Sequence, residues 1–165
     1  MIAHQTHEFG PLLRKDSKIL ILGSFPSVAS RQAQFFYGHP QNRFWAVLAG
    51  CFNEPKPLSV EEKKEFCFCH QIALYDAIEE CDIVGSSDAS IRNPVPTDIM
   101  AILKGTCIEK IICNGKTSYR YFCKYQPNEI VSLGVCLPST SPANAAFSLE
   151  RLILCWQKEI VFKSK

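Results

Sequence analysis

The stretch Gly38-His39-Pro40-Gln41-Asn42-Arg43-Phe44-Trp45 sets a histidine, an amide, an arginine and two aromatic rings side by side, directly after Phe35-Phe36-Tyr37. Such a grouping suits a place where a flat ring is held and a bond beside it is broken. Tyr37, in a glycine-bounded loop, is a candidate to stack on a base; Phe35 and Phe36 read equally well as core rings. Asn42 is neutral and no strong base, but its carbonyl can hold a water and orient it; it also suits the N-cap of a following helix. Histidine titrates near neutral pH, so His39 either protonates a leaving group or simply fixes the loop before Pro40. Asp76 is the one acid among the strand-end motifs. Ionised, it accepts hydrogen bonds but cannot donate, so Asn114 or a backbone N–H would have to supply a donor beside it; the alternative is a capping role. Ser24, Ser27, Ser139, Thr140 and Ser141 lie in loops suited to phosphate oxygens, through hydroxyls and peptide N–H groups.

These residues need elements to bring them together. Lys18 to Ser27, KILILGSFPS, reads as a buried strand ending in a glycine-containing turn. NRFWAVLAGCF carries helical apolar spacing after Pro40, and SVEEKKEF opens with Ser59 and has Glu62 three residues on, a capping-box pattern. HQIALYDAI reads as a strand end entering a loop. PTDIMAILKG is a helix with Thr97 as N-cap and Gly105 as stop. CIEKIICNGKTSYRYF reads as strand, turn and helix, and NEIVSLGVCLPSTSPANA as a strand followed by a Pro/Ser loop. The final helix, in AFSLERLILCWQKEI, has Leu149, Leu152, Ile153 and Trp156 on one face. Alternating strands and helices predict a three-layer αβα fold with a central, mostly parallel four-stranded sheet. Ligands bind such sheets beyond the carboxyl ends of the strands, which sends GSFPS, LYD, CNGK and LPSTSPAN to the same edge.

The 165 residues suit one domain, taken as 1–165, with 47% hydrophobic and 21% charged residues. A formal net charge of +2 permits nucleic acid as a partner without arguing for it. No run of about 18 apolar residues argues for a membrane span, and MIAHQTHEFG lacks a basic-then-apolar leader pattern. The expected location is the cytoplasm, at the nucleoid in a prokaryote. Cysteines number nine, an odd count; most lie in apolar runs such as IICNG, GVCLP and LILCW and read as small buried hydrophobes. The CFCH cluster of Cys67, Cys69 and His70 lacks the spacing of a four-ligand site, so neither metal nor cofactor is expected. P-loop, GxGxxG, GxSxG and HExxH patterns are all missing.

Taken together, GSFPS with FFYGHPQNRFW, LYDAIEECDIVGSSDASI, CNGK and LPSTSPAN resemble the uracil-DNA glycosylase superfamily, most closely its hypoxanthine-DNA glycosylase (DNA-deoxyinosine glycosylase) branch. The resemblance runs from about Lys18 to Trp156. It implies a monofunctional enzyme, working as a monomer on DNA that contains deaminated bases. Most of the superfamily carries an Asn or Asp in the first motif to position or activate water; Phe25 stands there in this chain. The hypoxanthine branch is similar in lacking that residue, and the resemblance shifts the catalytic role to Asn42. Phe25, Tyr37, Asp76 and Asn114 become base-binding candidates. Leu137 replaces the His or Asn that usually opens the last motif, and LPSTS is similar to the loop of thymine-DNA glycosylases. Ala143 and Asn144 occupy the place of the residue that fills the vacated base stack. Two rival readings follow from Phe25 and Leu137: a uracil- or mismatch-specific glycosylase, and a nucleic-acid-binding domain weak in catalysis.

Overall fold

A computed structural model describes residues 1–161. The central sheet has four parallel strands in the order β3-β2-β6-β7. They are β2 (Ile19–Gly23), β3 (Ile72–Asp76), β6 (Lys110–Asn114) and β7 (Gly134–Leu137). Strands β2 and β3 are buried at every position, as expected of parallel strands covered on both faces. Their registers align Gly23 with Asp76 and Asn114 with Leu137. The carboxyl ends therefore finish level.

Helices flank this sheet. Helix α1 (Val28–Ala33) follows β2, with Ser27 as its N-cap. Helix α2 (Phe44–Phe52) follows the GHPQNR turn, and α3 (Val60–Cys69) starts at Ser59, whose hydroxyl accepts from Glu62 N–H. The Glu62 carboxylate reaches back to Leu58 N–H, one residue earlier than a full capping box requires. Helix α4 (Ile99–Lys104) ends at Gly105 as expected, but its N-cap is Asp98. Thr97, expected in that role, is buried and donates its hydroxyl to the Asp76 carbonyl at 2.7 Å. Helix α5 (Lys116–Tyr125) follows β6, and the short α6 (Asn128–Val131) occupies what the sequence suggested was strand. Helix α7 (Leu149–Ile160) buries Leu152 and Trp156 as predicted. It crosses α2 at Gly50, where an added Cβ would come within 2.3 Å of the Ile153 side chain. Gly50 thus lets the two helices touch.

A second sheet was not anticipated. Strand β3 does not run into a loop. Strand β4 (Ile78–Ile83) follows it and pairs antiparallel with β1 (Ala3–Thr6) and β5 (Arg92–Pro96). Its core holds Phe25, Ile78, Cys81, Ile83 and Ile91. The cysteines are all reduced. Cys113 is buried as expected, but Cys155 on α7 is only partly covered and Cys136 is exposed: Cys136 lies on β7, an edge strand, where alternate residues point outward. Among the described residues no helix is long and apolar enough to cross a membrane.

Candidate active site

The strand ends open onto a cavity of about 290 Å³. Every predicted site residue except Ala143 and Asn144 lines it: Ser24, Phe25 and Ser27 after β2, Tyr37, His39 and Asn42 before α2, Asp76 on β3, Asn114 on β6, and Ser139, Thr140 and Ser141 after β7. Residues separated by more than a hundred positions in sequence meet here because the parallel strands all end on the same side.

Asn42 is held by two hydrogen bonds to one atom. Its Oδ1 accepts from Phe44 N–H at 2.9 Å and from the Thr140 hydroxyl at 2.8 Å. A backbone N–H can only donate, which fixes the amide orientation. The carbonyl expected to hold a water is thus occupied, and the free group is Nδ2, which has no protein partner among the described residues. Asn42 does support the first turn of α2, but as a donor it also faces outward. Thr140 is fully buried. It accepts from Asn114 Nδ2 and donates its own N–H to Asn114 Oδ1, both at 3.0 Å. Thr140 therefore cannot touch a phosphate; it ties Asn114 to Asn42. Arg43 fastens the same loop, donating to the carbonyls of Ser141, Asn144 and Phe147. Asn144 belongs to this framework, bonded to the Ser139 carbonyl.

Asp76 is 5% exposed, at the cavity wall. Its Oδ2 meets His7 Nε2 at 2.8 Å. The His7 ring has a side-chain exposure of 0% and lies stacked on Tyr75 with centroids 4.3 Å apart and edge-on to Phe9. The other oxygen, Oδ1, sits over Gly23, where an added Cβ would approach it to 2.4 Å. The same point lies 3.3 Å from the Tyr37 hydroxyl. Tyr37 has φ 55°, a left-handed backbone that costs a non-glycine residue about 1–2 kcal/mol. Its ring stacks on Phe44 with centroids 3.8 Å apart, and its buried hydroxyl makes no well-formed hydrogen bond among the described residues, the Asn114 side chain approaching it without good geometry. Burial, aided by the Asp76 charge and only partly opposed by Asn114, pushes the phenol well above its ordinary value, so it stays a donor. Phe35 and Phe36 are core rings.

The serines divide. Ser27 caps α1 and also donates to Ser30 Oγ. Ser24 donates to Asp88 Oδ1 at 2.8 Å, so a carboxylate stands where a phosphate was expected, and like charges repel. Asp88 as a residue is exposed, but the cavity wall around its carboxyl lifts it above its usual range, against the Ser24 hydrogen bond. Ser139 and Ser141 remain at the cavity wall, their hydroxyls accepting from Ser141 N–H and Ala143 N–H respectively. Each hydroxyl keeps its proton to donate. His39 is exposed and accepts from Gln41 N–H through Nδ1, which leaves the proton of the neutral ring on Nε2.

Sequence reasoning missed His7, Asp88 and the stapling role of Arg43. His7 had no local signal: its partner lies 69 residues away. Asp88 sits in a polar SSDAS run that suggests only a turn.

The model of the uracil DNA glycosylase superfamily matches residues 11–161. A protein of Methanosarcina acetivorans named hypoxanthine DNA glycosylase is 30% identical over 148 residues, 87% of this chain and 90% of that one. A Methanosarcina barkeri protein of the same name is 29% identical over 116 residues, 68% of this chain and 73% of its own length. A solution structure of a Methanosarcina acetivorans chain, assigned to the uracil DNA glycosylases, superposes with a TM-score of 0.80 at 28% identity and covers 97% of both chains. The matched segment contains all the strands of the parallel sheet and every predicted site residue. The chain belongs to the uracil DNA glycosylase superfamily.

Proposed function

We propose that this chain is a monofunctional DNA glycosylase that removes a deaminated base, preferably hypoxanthine, and leaves an abasic site. The observation that carries the reading is the pairing of an acceptor with an unsatisfied donor on the cavity wall. Asp76 Oδ1 can take the N1–H of hypoxanthine, and the buried Tyr37 hydroxyl or the second Asn114 N–H can donate to O6. The relatives named hypoxanthine DNA glycosylase support the same substrate.

The target nucleotide leaves the duplex first, at a cost of a few kcal/mol that is lower for a weakly paired base. Bond cleavage then builds positive charge on the sugar and negative charge on the departing base. Water adds to C1′ as the C1′–N9 bond breaks; its hydroxyl stays on the sugar and its proton goes with the base. Asn42 offers an N–H to that water's oxygen, holding it while another lone pair faces C1′. So dissociative a reaction needs little basicity from the group that holds water, and a neutral amide suffices. Ser139 and Ser141 are the candidates for the flanking phosphates. The enzyme acts as a monomer on DNA.

Oligonucleotides carrying a single hypoxanthine, uracil or xanthine test the reading. Alkali-labile breaks should appear at hypoxanthine first. Cleavage at uracil alone would replace it with a uracil-specific glycosylase, and binding without product on any substrate would replace it with a binding domain.

A further inference from the structure

We infer that His7 is a positioning residue that locks the Asp76 carboxylate as a hydrogen-bond acceptor, and so sets the preference for bases with a ring N–H. The inference rests on the reading of the chain as a hypoxanthine-removing enzyme and extends it to a residue outside the matched family segment.

The proton arrangement follows from burial. His7 Nδ1 is buried and has no partner among the described residues. A proton there would leave an orphan N–H, the costlier kind of unsatisfied group. The proton therefore sits on Nε2 and is donated to Asp76 Oδ2 at 2.8 Å, so the carboxylate carries none. The ring is clamped by Tyr75 and Phe9 and cannot turn away. His7 N–H is bonded to the Glu79 carbonyl at 2.8 Å, which holds the backbone in place as well. With Oδ2 engaged, Oδ1 is the acceptor left for a ligand.

This matters because hypoxanthine and adenine differ at N1. Hypoxanthine presents N1–H, whereas adenine and unsubstituted purine present a lone pair. A carboxylate without a proton attracts the first and repels the others; a protonated or rotated one would lose that distinction. His7 thus guards against removal of normal adenine.

The test compares excision of hypoxanthine with that of unsubstituted purine, under single-turnover conditions, in the wild type, His7→Phe and His7→Gln. His7→Phe keeps the ring packing and removes the donor; His7→Gln supplies an amide N–H toward the same oxygen. His7→Phe is expected to cut the hypoxanthine-to-purine ratio at least tenfold, and His7→Gln to restore most of it. A purely structural role would slow both bases by the same factor and leave the ratio unchanged, which would overturn the inference while the proposed function stood. A wild-type chain that releases neither base overturns both. Thermal melts of each variant check that the fold is kept; should His7→Phe unfold, a His7→Gln ratio as low as that of Asp76→Ala would also overturn the inference.

Discussion

Asn42 carries two duties on different atoms, and substitutions can separate them. Asn42→Asp keeps Oδ1 for Phe44 N–H and the Thr140 hydroxyl but removes the outward N–H. It should hold the melting temperature near that of the wild type and slow excision by on the order of 10²–10³-fold, the usual loss for one preorganised donor. Asn42→Ala should lose activity to the same degree and also about 1–2 kcal/mol of stability. An Asn42→Asp variant with near-normal single-turnover rates would remove the N–H from the mechanism. Tyr37 gives the opposite pattern. Its buried hydroxyl is unsatisfied in the free protein, so Tyr37→Phe should raise stability by up to about 1 kcal/mol. It should also weaken hypoxanthine excision about tenfold through KM, measured by steady-state kinetics. At this scale the sequence was informative where polar residues sit on strand ends. It was silent on His7, and it misread Thr140, because hydroxyls that face a phosphate and hydroxyls that tie two amides look alike in a Ser/Thr-rich loop.

Elements transmit position to those side chains. Asn42 and Arg43 stand at the start of α2, and α2 is set by its crossing with α7 at Gly50. Gly50→Val would press on Ile153 and force the helices apart. The expected cost is about 1–3 kcal/mol in denaturant unfolding, with a fall in excision rate even at temperatures where the variant is fully folded. A variant that loses stability but keeps its rate would show that α2 tolerates displacement. The parallel strands were legible because they are unbroken apolar runs, such as ILILG and IALYD. The antiparallel strands were not, for physical reasons: AHQT is largely exposed, IEECDI alternates irregularly, and RNPVP contains two prolines. Edge and half-exposed strands tolerate such residues, so their composition resembles a loop.

At the scale of the whole molecule, the cavity at the strand ends is lined by two acids, Asp76 and Asp88. Asp88 illustrates the electrostatic cost. Exposed as a residue, Asp88 has its carboxyl raised in the folded state chiefly by partial desolvation at the cavity wall, opposed by the Ser24 hydrogen bond and aided by repulsion from Asp76. A raised carboxyl is destabilising once ionised and harmless while protonated. Asp88→Asn should therefore melt higher than the wild type at pH 7, and the gap should close as pH falls below the ordinary carboxylate range. A gap that persists at low pH would assign the effect to packing instead. The overall architecture was readable from alternation alone, since four apolar runs separated by helices have few ways to form a sheet. What alternation could not reveal was the second sheet, which brings the amino-terminal segment across the molecule to Asp76.

That amino-terminal segment makes the cavity a composite. The framework that aligns Asn42, Asn114 and Thr140 lies within residues 11–161, whereas His7 directly follows β1, a short strand added to β4. Reading of the base thus draws on two pieces of chain. With His7 acting as inferred, selectivity can drift, or be re-engineered, through a terminal residue whose route to the site is Asp76 rather than Asn42.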